Sequence, residues 1–208
     1  MFANRSVLRR LALSVTAGAG ALALLTACGG GDDAMTGHAG VSSSVPTPTA
    51  SQSPGASFND ADVMFAQMMI PHHEQAVEMA ELAETRAADA KVKELAAKIK
   101  AAQDPEIATM TEWLTAWGRP AVPEGGHGGH GMPGMMTEED MVKLQAAKGA
   151  AFDRLFCRLM IAHHKGAIEM AGTEQAQGAD PKAKELAKTI ETAQQAEIEQ
   201  MQEILDRL

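Results

Sequence analysis

The sequence predicts an all-α protein whose folded part is a four-helix bundle built from two duplicated helical hairpins. The chain has 208 residues with no Tyr, five Phe and two Trp, so the aromatic residues that favour β-strands are scarce. Helix-forming Ala, Glu, Lys, Gln, Leu and Met dominate its later half. A shift of 91 residues aligns 62–114 with 153–205 without a gap, and 25 of the 53 positions are identical. The simplest explanation is an internal duplication.

Residues 1–27 are predicted to be a signal peptide. Arg5, Arg9 and Arg10 precede an apolar run over 11–25, which is short for a membrane-spanning helix. The run ends at Leu-Thr-Ala-Cys, and this pattern resembles a bacterial lipoprotein signal. The resemblance implies that Cys28 is lipidated, so that the protein lies outside the cytoplasm and touches the membrane through its N-terminal lipid only. The alternative is an ordinary signal peptide with an incidental cysteine.

Residues 28–57 are predicted to be a flexible tether, because Gly, Ser, Thr, Pro and Ala with little apolar content cannot form a core. The chain has two cysteines, Cys28 and Cys157. If Cys28 is lipidated, Cys157 has no thiol to pair with, which excludes an intramolecular disulfide. Stability must then come from helix packing.

The bundle is predicted to occupy 58–208, with repeats at about 58–117 and 149–208 and a crossover over 118–136. Apolar residues and one histidine recur at steps of three and four from Phe65 to Ala83, as expected for a buried helix face. The stretch from Glu138 to Phe152 has no counterpart in the first repeat and is predicted to extend the third helix. The helix-capping residues are predicted to be Ser57 or Asn59, Asp89, Thr137 with Asp140, Asp180 before Pro181, and Gly178 at a C-terminus. Pro71 and Pro105 are predicted to kink their helices.

Each repeat carries the same histidine and methionine pattern on its first helix. The residues are Met69, His72, His73 and Met79 in the first copy and Met160, His163, His164 and Met170 in the second. If the two helices meet, Met69 and His72 are expected to join Met160 and His163 in one ligand set. Soft thioethers select Cu(I), whereas imidazole binds Cu(I), Cu(II) and Zn(II). Copper is therefore the expected metal, with zinc as an alternative. The competing interpretation is that these methionines and histidines only pack in the core.

The crossover contains a second candidate metal cluster in the segment HGGHGMPGMM. Its possible ligands are His127, His130, Met132, Met135 and Met136. Flexible glycines would allow several of these side chains to wrap one ion, and a simple His- and Met-biased linker is the alternative.

The segments MIPHHEQAVEMA and MIAHHKGAIEMA resemble bacterial domain-of-unknown-function family 305, over about Phe58 to Leu208. The resemblance implies a ferritin-like bundle in an exported protein, with His72, His73, Met79, His163, His164 and Met170 as motif positions. It also implies copper binding in the cell envelope, which is associated with some members of the family.

A net charge of −9 disfavours nucleic acid as a partner. The sequence has no nucleotide-binding or hydrolase motif, and its one Glu-x-x-His pattern, Glu124 to His127, lies in the glycine-rich crossover. We therefore expect a binding protein that sequesters, buffers or delivers copper, not an enzyme. The alternatives are an envelope adaptor with structural His and Met, or a metal-dependent enzyme. A homodimer or an envelope protein is a further expected partner.

Overall fold

The computed structural model describes residues 57–122 and 132–208, and the described chain is helical throughout its regular structure. The helices are α1 (Asp60–Arg86), α2 (Ala90–Ala116), α3 (Glu138–Ala146), α4 (Ala150–Gln177) and α5 (Pro181–Arg207). Four of them are long and pack as a bundle, and α3 is short. This confirms the predicted all-α bundle. The predicted signal, the lipidation site Cys28 and the loop residues His127 and His130 lie outside the described residues.

Side chains close the helix N-termini where the sequence predicts them. Asn59, not Ser57, caps α1 and forms a capping box with Asp62. Asp89 caps α2 and Asp180 caps α5, with Pro181 in the first helical turn. Gly178 follows the last residue of α4. Each of these caps satisfies backbone groups that a helix end leaves without a partner.

The prediction that Glu138 to Phe152 extends the third helix is wrong. Thr137 and Asp140 form a capping box, but the helix that they begin is α3, which ends at Ala146. Gly149 then adopts a left-handed φ of 62° and donates its N–H to the carbonyl of Arg86 at 2.8 Å. This bond holds the chain at the end of α1, so α4 starts as a separate helix.

The two proline residues that were predicted to kink their helices both lie inside continuous helices. Pro71 is in α1 and Pro105 is in α2. Pro71 directly precedes His72, so the missing proline N–H falls in the turn that presents the first histidine motif.

Two helical hairpins, α1–α2 and α4–α5, pack together chiefly through α1 and α4. These two helices are antiparallel. A buried aspartate near the start of each helix accepts backbone N–H groups just beyond the end of the other helix. Asp62 of α1 accepts the N–H groups of Ala179 and Asp180, at 2.9–3.1 Å. Asp153 of α4 accepts those of Ala88 and Asp89, at 3.0–3.1 Å. No helix within the described ranges is long and apolar enough to cross a membrane.

Candidate metal centre

The central feature of the bundle is a pair of stacked histidines, one from each repeat. His72 of α1 and His163 of α4 are almost completely buried, and their ring centroids lie 3.7 Å apart with the planes tilted by 39°. The antiparallel packing of α1 against α4 brings these equivalent positions together at the crossing of the two hairpins. We call His72 and His163 the inner pair.

The inner pair has ring nitrogens without hydrogen-bond partners. The Nε2–H of His72 donates to the carbonyl oxygen of Pro133 at 3.1 Å, since a carbonyl can only accept. Its Nδ1 and both nitrogens of His163 have no partner within the described residues. Buried polar atoms are normally satisfied, and each one left alone costs about 1–3 kcal/mol. A metal ion that accepts the lone pair of His72 Nδ1 and the single lone pair of the His163 ring would remove most of this cost.

Both inner histidines are neutral near pH 7. Burial, reinforced by the neighbouring His73, lowers the pKa of His72 to about 3. Burial and the nearby imidazole of His72 lower the pKa of His163 well below its ordinary value. Neutral imidazole is the form that binds metal ions, so this environment keeps the two rings ready to act as ligands.

The second histidine of each motif forms an outer pair, His73 and His164, with a carboxylate partner. The Nε2–H of His73 donates to Glu106 at 2.8 Å, and that of His164 donates to Glu197 at 2.7 Å. Both rings are buried, and neither Nδ1 has a partner among the described residues. A carboxylate in this position fixes the tautomer and orientation of a histidine beside a metal. Neither glutamate was predicted as a site residue, although both occupy equivalent positions in the two repeats.

The four methionines of the motifs are buried, but the structure does not join Met69 to Met160. Met69 packs in a cluster with Met170, whereas Met160 packs in another with Met79. The expected set of Met69, His72, Met160 and His163 therefore needs correction. Because α1 and α4 run in opposite directions, the residues three positions before each inner histidine point to opposite sides of the pair.

The end of the crossover lies directly against the inner pair. Gly134 approaches the backbone of Ala162 and His163, and a Cβ built on Gly166 would lie 2.0 Å from the Pro133 carbonyl oxygen. Gln75 donates to the carbonyl of Met136 and accepts its N–H, at 3.0 and 2.7 Å. Met132, Met135 and Met136 are therefore held at this face, each partly exposed.

The donor set around the pair is dominated by imidazole. No group of three or more His, Cys, Asp or Glu residues is arranged around a common point in the described parts of the chain. Cys157 is buried, and burial together with Asp153 raises the pKa of its thiol to about 12, so it stays protonated. The inner pair therefore fits an ion that tolerates few ligands better than one that needs a carboxylate cage.

Asp62 and Glu174 form a buried carboxyl pair between α1 and α4. Both oxygens of Glu174 are buried without a hydrogen-bond donor from the described residues. Burial, followed by the neighbouring Asp62, raises the pKa of Glu174 to about 8. Asp62, which accepts several backbone N–H groups, has a pKa below its ordinary value. Glu174 is thus the member of the pair that holds a proton at neutral pH.

We expect the raised pKa of Glu174 to make the protein less stable as pH rises from about 4.5 to about 8. In this window the folded protein keeps a proton that the unfolded chain releases, so unfolding becomes more favourable with pH. Glu174→Gln keeps the neutral shape and should remove about 2 kcal/mol of this decline, after discounting the shift for solvent screening. Urea unfolding of both proteins at pH 5 and pH 9 measures the difference. Parallel pH profiles would show that Glu174 ionises normally.

Comparison with known proteins shows the family to which this chain belongs. The family model described as "Domain of unknown function (DUF305)" matches residues 62–205. The chain belongs to the DUF305 family. This match contains both histidine motifs and both glutamates that bind the outer pair. No curated protein matches the chain in sequence.

Solved structures, two of them named as DUF305 proteins, share the fold. A DUF305 protein from Streptomyces coelicolor, named as a secreted protein, is 33% identical with a TM-score of 0.66 over 71% of this chain and 93% of its own. A DUF305 fragment from Deinococcus radiodurans is 32% identical, with a TM-score of 0.65 over 72% and 98% of the two chains. CopM in its Cu(II)-bound form is 38% identical, with a TM-score of 0.62 over 70% and 96%. CopM has also been solved in Cu(I)-bound and Ag-bound forms.

Proposed function

We propose that this DUF305 protein binds copper outside the cytoplasm and sequesters, buffers or delivers it. The observation that carries the proposal is the inner pair: two neutral, buried imidazoles that face each other with unpartnered nitrogens. The likeness to CopM, which has been solved with Cu(I), Cu(II) and Ag, supports copper as the ion.

The chemistry of the site supports Cu(I) in particular. Cu(I) is a soft ion that accepts as few as two ligands, whereas Zn(II) in proteins is nearly always tetrahedral. The inner pair offers two imidazoles, and buried thioethers lie in the hydrophobic clusters around it. When bound, copper would satisfy ring nitrogens that otherwise remain alone in the bundle. Glu106 and Glu197 would fix the orientation of the outer-pair rings beside the ion.

The direct test is an anaerobic titration of the purified full-length protein with Cu(I), Ag(I), Cu(II) and Zn(II). We expect tight Cu(I) and Ag(I) binding, and much weaker Zn(II) binding. The variant His72→Gln with His163→Gln should lose the tight site, while His127→Gln with His130→Gln in the crossover should retain it. Unchanged Cu(I) affinity in the inner-pair variant would reject the proposal.

We propose binding without catalytic turnover. Complete burial of the inner pair restricts the access of organic substrates to an ion held there. Copper-loaded protein should therefore oxidise ascorbate more slowly than an equal amount of free copper. A faster rate would favour the alternative of a copper-dependent enzyme.

We further propose attachment to the outer face of the membrane through a lipid on Cys28. The sequence before this cysteine resembles a lipoprotein signal, and the Streptomyces coelicolor relative is named as a secreted protein. Cys28→Ser should move the protein from the membrane fraction to the soluble fraction or leave it unprocessed, and should abolish labelling by a fatty-acid analogue. Cys157→Ser is the matched control and should change neither result.

A further inference from the structure

A cavity of about 430 Å³ opens between the N-terminal part of α1 and the C-terminal part of α4. Its wall contains three methionines, Met64, Met68 and Met170, together with Pro133 and Glu174. The carbonyl of Pro133 also accepts the Nε2–H of His72, so one residue of the cavity wall contacts the inner pair. The cavity therefore adjoins the proposed copper site.

The methionines of this wall form a series that leads inward along α1. Met64, Met68 and His72 are spaced by four residues each, so they share one face of the helix at a rise of about 6 Å per step. Met64 is 59% exposed, Met68 is partly buried, and His72 is fully buried. Met170 of α4 adds a third, buried thioether from the opposite wall.

The second repeat shows that packing does not require methionine at these positions. The residues equivalent to Met64 and Met68 are Leu155 and Leu159, which pack against the core at the other side of the duplication. A highly exposed Met64 also contributes little to a core. The thioethers on the cavity side are thus an addition that only one repeat carries, and their soft sulfur atoms distinguish them from leucine.

Glu174 gives the cavity a buried carboxyl group. Its side chain is 1% exposed, lines the cavity, and has no hydrogen-bond donor on either oxygen within the described chain. The equivalent residue of the first repeat is Ala83, so this carboxyl group is again specific to the cavity side. A cation in the cavity would give these carboxyl oxygens a partner.

We propose that this cavity is a second soft-metal site, which binds Cu(I) or Ag(I) through Met64, Met68 and Met170 and passes the ion to the inner pair. The proposal rests on the proposed copper function for its destination, but ion binding in the cavity does not depend on it. Transfer changes neither the oxidation state nor the number of electrons; thioether ligands are exchanged for imidazole nitrogens. Glu174 lines the same cavity and places a carboxyl group beside these thioethers.

The test uses the full-length protein with ¹³C-labelled methionine methyl groups, titrated anaerobically with Ag(I). We expect the methyl signals of Met64, Met68 and Met170 to shift. Met64→Leu with Met68→Leu, which copies the second repeat, should remove one bound Ag(I) and slow Cu(I) loading of the inner pair at least tenfold. Its equilibrium Cu(I) affinity at the inner pair should stay within about twofold. Met110→Leu with Met201→Leu replaces two buried methionines of α2 and α5 and should change neither stoichiometry nor rate.

The outcomes separate this inference from the proposed function. In His72→Gln with His163→Gln, the three methyl signals should still shift, because the cavity site keeps its ligands. A wild-type protein with a tight inner-pair site but unmoved cavity methyl signals would overturn the inference alone. Equal loading rates for wild type and the Met64→Leu, Met68→Leu variant would overturn the transfer step. Shifted methyl signals without binding at the inner pair would instead overturn the proposed function.

Discussion

Replacing the inner pair by leucine, His72→Leu with His163→Leu, should stabilise the metal-free protein while abolishing its tight copper site. Neither nitrogen of His163 has a partner in the described parts of the molecule, so replacing this buried ring relieves about 1–3 kcal/mol. His72→Leu also removes its unpartnered Nδ1, but it takes the N–H donor from the Pro133 carbonyl, which offsets about 1 kcal/mol of the gain. Loss of both proposed ligands should lower the Cu(I) affinity at least about 100-fold. Urea unfolding of metal-free protein and an anaerobic competition titration measure the two effects.

The outer pair provides the matched control for this experiment. His73→Leu with His164→Leu removes the same number of imidazoles, but it breaks the hydrogen bonds to Glu106 and Glu197. These two carboxylates would lose charge-assisted partners, so this variant should be destabilised by about 2 kcal/mol or more. If the inner-pair variant is destabilised by a similar amount, His72 and His163 support the fold and the metal interpretation loses its main argument.

Gly166→Ala should destabilise the protein by about 3 kcal/mol, because α4 and the crossover turn touch through backbone atoms alone at this position. An added Cβ would lie 2.0 Å from the carbonyl oxygen of Pro133 and 2.8 Å from the Cα of Gly134. Relief requires the turn to move away from α4, and this movement breaks the bond from His72 to Pro133. We expect faster release of Cu(I) in addition to the lower stability.

Gly172→Ala is the control, since it lies in the same helix with open space around the added Cβ. It should stabilise the protein by about 0.5–1 kcal/mol, as alanine is the better helix former. Chemical unfolding gives both values, and stopped-flow transfer to a chelator gives the Cu(I) release rates. Equal stabilities of the two variants would show that the turn yields without cost and does not hold the inner pair in place.

Local sequence signals predicted the helices because helix ends depend on near neighbours. Asn59, Asp89 and Asp180 cap the helices at which the sequence places them, since a cap needs only a side chain and the next few backbone N–H groups. The same rule identified the start of α3 at Thr137. Its end was missed because the chain leaves the helix before Gly149, whose N–H binds the carbonyl of Arg86, a residue far away in sequence.

The composition of the candidate site was visible in the sequence, but its grouping was not. Each repeat displays its histidines and methionines through helical spacing alone, and the duplication suggests that equivalent histidines meet. Whether Met69 then meets Met160 or Met170 depends on the relative direction of α1 and α4. The periodicity of a single helix carries no information about that direction. Likewise, the pairing of His73 with Glu106 depends on how α1 lies against α2.

The sequence by itself determined an all-α duplicated protein of the DUF305 type, with paired histidine motifs on two long helices. These features follow from spacing, capping and identity between repeats, which are local or one-dimensional properties. Only the tertiary structure decided that His72 and His163 stack at the centre, that Glu106 and Glu197 bind the outer pair, and that the Pro133 turn borders the inner one. Such contacts arise from the antiparallel packing of separate helices and from the absence of a side chain at Gly166, so they depend on atoms that only the folded chain brings together.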